Sequence, residues 1–328
     1  MPLPFILAGV ALAAAGYGVK KGIDALDADC EADEFIKKAE SLKEEATKKA
    51  ESAESDCKLA FARFGEKKLR VLSHSVLNFL NHFHRLKRST ITIEGINMQD
   101  IQRQVSDARN LLNQLNANGI DGDSAPGVIA GFGSLGISSF TTGAILGGGL
   151  AASGLAGMAV LGGLVAGPAL AILGALSADE MEKKRDDAKA YLSQVEVAVK
   201  KADVIVDNLQ AVRKMADLFT KQITKLDALF FSLSQDAIAT MKKHHYDTSL
   251  YNQKEKDQFC VTVSTLMTLS AFLKVPIMDK HQKLNKKAQN ALNLMRDQTD
   301  SLENGHYSLR SIRFRQAQLE NLRDDKTS

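Results

Sequence analysis

Seven histidines, three cysteines and one glycine-rich pattern are the residues whose types and spacing invite a search for chemistry. His74, His82 and His84 share one helical stretch, but His82 and His84 are two apart and point to different faces. No acidic residue at ligand spacing completes a site, so these histidines, with His244 and His245, read as solvated helix-surface residues. Cys30, Cys57 and Cys260 show no CxxC spacing, which argues against a disulfide framework or structural zinc and fits a reducing compartment. Gly131-Phe-Gly-Ser-Leu-Gly136 matches GxGxxG, yet no strand precedes it. No Asp or Glu follows until Asp179, far beyond the ~20 residues that a ribose contact requires. There is no GxxxxGK[ST], no GxSxG and no paired carboxylate arrangement. The expectation is a protein that is not an enzyme and carries no cofactor and no metal.

What must be positioned instead is apolar surface. The 328 residues carry 42 Lys+Arg against 39 Asp+Glu, a near balance that excludes a whole-protein basic field for nucleic acid. Only 5 prolines leave room for very long helices. Charge is strongly segregated: residues 124–178 contain no Asp, Glu, Lys or Arg, whereas the flanks are dense with them.

From Cys30 to about Arg88 the chain reads as one long helix with a break near Gly65. Its small or apolar stripe runs Ile36, Ala39, Leu42, Ala46, Ala50, Ala53, Cys57, Ala60, Phe64, at steps of three and four. Such a seam calls for a partner helix. Leu72, Val76, Phe79, Phe83 and Leu86 extend it, and Ser89 to Gly95 reads as a short extended connection. Helix resumes from Met98 to about Asn116. A further helix, the clearest in the chain, runs from Ala178 to about Lys243 with Leu192, Val195, Val199, Ala202, Val206, Leu209 and their successors on one face. His244 to Lys256 reads as a polar connection, followed by an apolar helix Phe259 to Leu273. A last amphipathic helix spans Asp279 to Arg323, with an interruption at Asn304-Gly305. No βαβ alternation or hairpin series appears, so the class is all-α.

The uncharged block is rich in glycine, each of which costs about 1 kcal/mol against Ala in a helix, so it needs a packed or lipid environment. Its length is too great for one pass of ~20 residues and suits two with a tight turn around Gly147 to Gly149. Gly127/Gly131, Gly143/Gly147 and Gly163/Gly167, with Pro168 just beyond, place small residues at the spacing that lets helices approach closely in lipid. Both ends then lie on one side of the membrane, flanked by Lys183, Lys184 and Arg185. A soluble hairpin buried by the arms, or one that converts from buried to inserted, fits the same pattern.

Residues 3–19 form a second apolar run, ending at Lys20 and Lys21 and reaching ~26 Å against a ~30 Å hydrocarbon core. The positive-inside rule places the charged body in the cytoplasm. A docked apolar helix and a secretory signal are the other readings; a signal normally has a positive charge before its apolar core, and none precedes Leu3. Arg63, Lys67, Lys68 and Arg70, then Arg85, Lys87 and Arg88, and later Arg310, Arg313 and Arg315, form basic segments that suit anionic headgroups or a solvated face alike.

Long amphipathic helices flanking a Gly/Ala-rich uncharged hairpin resemble helical pore-forming proteins of the cytolysin A and haemolysin BL type. The stretches Leu3 to Gly18 and Val160 to Gly174 are also similar to those of uncharacterised bacterial membrane-associated proteins. The first resemblance implies a soluble-to-membrane transition and oligomeric assembly, and the arms are expected to self-associate into a homo-oligomer. The chain then divides into an apolar segment (1–22), a helical arm (23–123), the hairpin (124–178) and a second helical arm (179–328). The expected partner is the lipid bilayer, reached from the cytoplasmic side of a bacterial inner membrane, with soluble protein converting to inserted as the alternative. A coiled-coil scaffold that recruits a soluble protein through its arms is the alternative function, and a secreted toxin subunit a third.

Overall fold

The structure, a computed structural model, describes residues 26–86, 98–117, 178–278 and 284–323. These are helical as the periodicity predicts. In chain order they form α1 (Leu26–Arg70), a π-helical turn (Val71–Val76), α2 (Leu77–Phe83), α3 (Met98–Ala117), α4 (Ala178–Lys243), a 3-10 turn (Thr248–Leu250), α5 (Gln253–Leu273), α6 (Lys286–Glu303) and α7 (Leu309–Arg323). No β-strand occurs among the described residues, and the protein is all-α.

Three expected boundaries need correction. Gly65 is buried inside α1 and does not break it; one glycine costs about 1 kcal/mol, which a well-packed helix absorbs. The irregularity comes later, as the wider turn Val71–Val76. The connection after α4 is shorter than His244 to Lys256, because Asn252 caps α5 seven residues ahead of Phe259. Asn252 Oδ1 accepts the Glu255 N–H at 2.9 Å while Glu255 Oε2 accepts the Asn252 N–H at 3.0 Å. This polar first turn hides the start from a search for apolar period. Similarly α6 begins at Lys286, where Asn285 Oδ1 accepts the Lys287 N–H at 2.9 Å. The break at Asn304-Gly305 is present, with Gly305 at φ +67°, where a side chain would be strained although space is open. The connection read at Ser89 to Gly95 lies outside the described residues.

The chain divides into two compact units, each drawing on both arms. Among the described residues the first comprises 26–57 and 178–210. Ala32, Ala39, Ala46 and Ala53 recur every seven residues on α1, all buried. Ala39 packs on Tyr191, Leu192 and Val195 of α4, beside Phe35, Leu42 and Val199. Lys38 pairs with Glu196 at 3.9 Å and Lys49 with Asp203 at 2.7 Å. Later residues of α1 meet later residues of α4, so the two strands of this seam run parallel, and the partner the seam calls for belongs to the same chain.

The second unit takes 58–86, 98–117, 211–278 and 284–323. Here too α1–α2 and α4 run parallel: Phe64 meets Phe219 edge-on at 5.8 Å, Lys67 pairs with Asp227 at 3.0 Å, and Phe79 meets Phe230 at 5.8 Å. Its centre is α5, in which every residue from Val261 to Leu273 is buried, as are Lys274 and Val275 beyond its end. A helix covered on all sides has no solvent face and so shows no amphipathic period. Phe272 stacks on Phe219 of α4 at 4.6 Å, Gln104 of α3 donates to Ser270 Oγ at 2.5 Å, and α7 packs along α5. Two buried hydroxyls on α5 turn back on their own helix, Thr262 Oγ1 to the Gln258 carbonyl and Thr268 Oγ1 to the Ser264 carbonyl, both at 2.9 Å.

Candidate functional site

Of the residues the sequence marks for membrane insertion or helix packing, Gly127, Gly131, Gly143, Gly147, Gly163, Gly167 and Pro168 lie outside the described residues, as do Lys20 and Lys21. Lys183, Lys184 and Arg185 fall in the first turns of α4, which begins at Ala178, the last residue of the uncharged block. The Arg185 guanidinium approaches Asp186 at 3.6 Å. On the other side of the block α3 extends to Ala117.

The densest constellation of titratable side chains lies elsewhere, where the α4–α5 turn meets the end of α2 in the second unit. Two consecutive non-glycine residues there, His245 (φ 53°) and Tyr246 (φ 64°), adopt the left-handed conformation. Each costs of order 1 kcal/mol, so neighbours must hold them. The Tyr246 N–H donates to the Met241 carbonyl at 2.7 Å. Arg85 sits 4.2 Å over the Tyr246 ring, and His82 Nδ1 lies 2.9 Å from the Tyr246 hydroxyl oxygen with the rings nearly parallel. His82 and His244 are thus not solvated surface residues: both are half-buried and partnered by residues distant in sequence. The carboxylate that local spacing withheld from His244 is Glu255, which folding places against it.

Glu255 is the hub of the turn. It accepts from Lys243 Nζ at 2.8 Å, from the Asn252 backbone, and interacts with His244 Nε2 at 3.0 Å. These three contacts, the Lys243 bond foremost, hold its carboxyl down to about 2. Tyr251 lies beside His244 at 5.3 Å; burial first, then the negative charges of Glu255 and Asp247, push its phenol up to about 12. Burial, then Lys242 and Arg85, push the His82 imidazole below its ordinary value. A carboxylate spent as a helix cap and pinned by a lysine is a clamp rather than a proton carrier. Among the described residues no Ser or Cys hydroxyl or thiol is hydrogen-bonded to His244, and no group of three metal-ligating side chains gathers anywhere.

Lys68, which the sequence places in a basic segment for headgroups or solvent, faces neither. It is fully buried, its ammonium 4.3 Å from the Phe64 ring centroid, and burial pulls its pKa from 10.5 to about 7. A lysine on a charged helix reads as solvent-facing; its position in register with Phe61, Phe64 and Leu72 was the available signal.

No protein family model, no curated protein and no solved structure matches this chain.

Proposed function

We propose that this chain is a membrane-associated helical protein that inserts residues 124–178 as a hairpin and self-assembles, in its sharpest form as a pore-forming or membrane-perturbing effector. The observation that carries this reading is the division of labour between the block and the arms. The stripes of α1 and α4 bury one another within the chain, Ala39 against Tyr191 and Leu192, Phe64 against Phe219. The arms' own apolar faces therefore have partners without the uncharged block, whose composition suits lipid. Among the described residues no helix is long and apolar enough to cross a membrane. Insertion then falls to 124–178, with residues 3–19 as a second anchor and the charged arms on the cytoplasmic side of a bacterial inner membrane. With the arms' seams occupied, self-assembly falls to the Gly-xxx-Gly faces of the hairpin.

Dye release from lipid vesicles tests this directly. Dose-dependent leakage by the full chain, abolished by Gly147→Leu plus Gly163→Leu, is the expected result. Vesicle binding without leakage favours the alternative, a membrane-anchored scaffold. That reading draws on Val197 and Val204, one heptad apart on α4 and 49% and 68% exposed, which offer a strip to a partner helix. Absence of vesicle binding refutes both.

A further inference from the structure

The end of α2 and the α4–α5 turn are joined through one side-chain pair, the imidazole of His82 and the phenol of Tyr246. With His82 neutral, the Tyr246 hydroxyl donates to Nδ1 across 2.9 Å, and the Arg85 guanidinium lies 4.2 Å over the same tyrosine ring. We propose that this contact is a proton-operated latch: it holds the end of α2 on the turn while His82 is neutral, and lets go when His82 takes a proton. The proposal stands whether or not residues 124–178 enter lipid.

The surrounding charges set the direction. Those acting on His82 are both cationic, Lys242 from α4 and Arg85 from its own stretch. The carboxylates of the turn are committed elsewhere, Glu255 to Lys243, His244 and the Asn252 backbone, and Asp247 to Ser249. From α3, Gln102 reaches the neighbouring His84 rather than His82. A proton on His82 thus adds a third positive charge with no counter-ion and also fills the lone pair that accepts from Tyr246. The closed form binds that proton less readily than the open one. Latching is therefore at full strength above 6.5, the ordinary histidine value, and weakens as pH falls through that value toward the lower one of the closed form.

The turn's hold on α5 does not pass through His82: Glu255 is fixed by Lys243 and by the reciprocal cap with Asn252. The left-handed conformations of His245 and Tyr246 add to the tendency to open, because the side-chain contacts that hold Tyr246 in place are the ones released.

Hydrogen exchange on the full chain at pH 7.5 and pH 5.5, corrected for the intrinsic pH dependence of exchange, reads the latch without lipid. Protection of the amides at 80–86 is expected to fall about threefold or more at the lower pH. His82→Asn keeps an acceptor near the Nδ1 position and does not titrate, so it is expected to retain protection at pH 5.5. Tyr246→Phe is expected to be open already at pH 7.5, and His84→Asn to respond as the unsubstituted chain does. Protection unchanged with pH in the unsubstituted chain, or lost to the same extent in His82→Asn, overturns the proposal. Should His82→Asn fail to fold, a pH response that persists in Tyr246→Phe overturns it as well.

Discussion

The two units solve the same problem, pairing α1 with a parallel α4, with opposite materials. In the first the seam of α1 is alanine at Ala32, Ala39, Ala46 and Ala53, whereas in the second it is Phe61 and Phe64, continued by Phe79. A buried methyl contributes about 0.8 kcal/mol and a buried phenylalanine about 1.5–3 kcal/mol. The second unit also encloses α5 and gains edge-on and stacked ring contacts; among the described residues the first is built from α1 and α4, with ion pairs exposed to water. Surface pairs such as Lys38–Glu196 and Lys49–Asp203 fix register and direction more than they stabilise. The contrast teaches that helix length and heptad regularity alone say little about stability. On buried area the phenylalanine-rich unit is expected to be the anchor and the alanine-rich seam to open first.

The largest effect expected follows from cutting the anchor. Phe219→Ala removes contacts to both Phe64 and Phe272 and is expected to cost about 3–5 kcal/mol in urea unfolding. Ala39→Asp places a charge in the first seam and is expected to cost about 3 kcal/mol locally. Hydrogen exchange should then show lost protection at 32–57 and 188–210 with the second unit intact; equal loss in both units would erase the distinction drawn here.

Lys68 gives the next effect. Its folded-state pKa is about 7 against 10.5 unfolded, so between these values the unfolded chain binds a proton that the folded chain does not. Stability should therefore rise with pH by about 1.4 kcal/mol per unit across that window and stop responding to this group below it. Lys68→Met should flatten the rise, as urea unfolding at pH 6, 8 and 9.5 would reveal. Asn252→Ala, which removes the cap of α5, is expected to cost about 1 kcal/mol. Lys49→Ala should leave the unfolding midpoint unmoved, because its partner Asp203 stays solvated.

The legible part of the fold was whatever repeats locally. The bounds of α3 and α4 and the break at Gly305 followed from period and from glycine at a helix end. The parallel sense of α1 and α4 did not, because a stripe specifies that a partner exists and not which way it runs. The start of α5 was hidden for a related reason: its first turn is polar and its body is buried all round. The turn site was illegible because His82 and Tyr246 are 164 residues apart and share no pattern. The burial of Lys68 is not legible from its charge, which marks a solvated face, but from its register with Phe61, Phe64 and Leu72. The glycines chosen for membrane packing lie outside the described residues, so their role rests on spacing and composition.

Fractionation of cells expressing the full chain, with the membranes washed at high pH, tests the central claim most directly when set against a chain lacking residues 125–177. Circular dichroism of both forms verifies that the arms remain helical. The account predicts that the full chain stays in the wash-resistant pellet and that the helical deletion variant does not. A full chain recovered in the soluble fraction, or a deletion variant that pellets equally well, contradicts it.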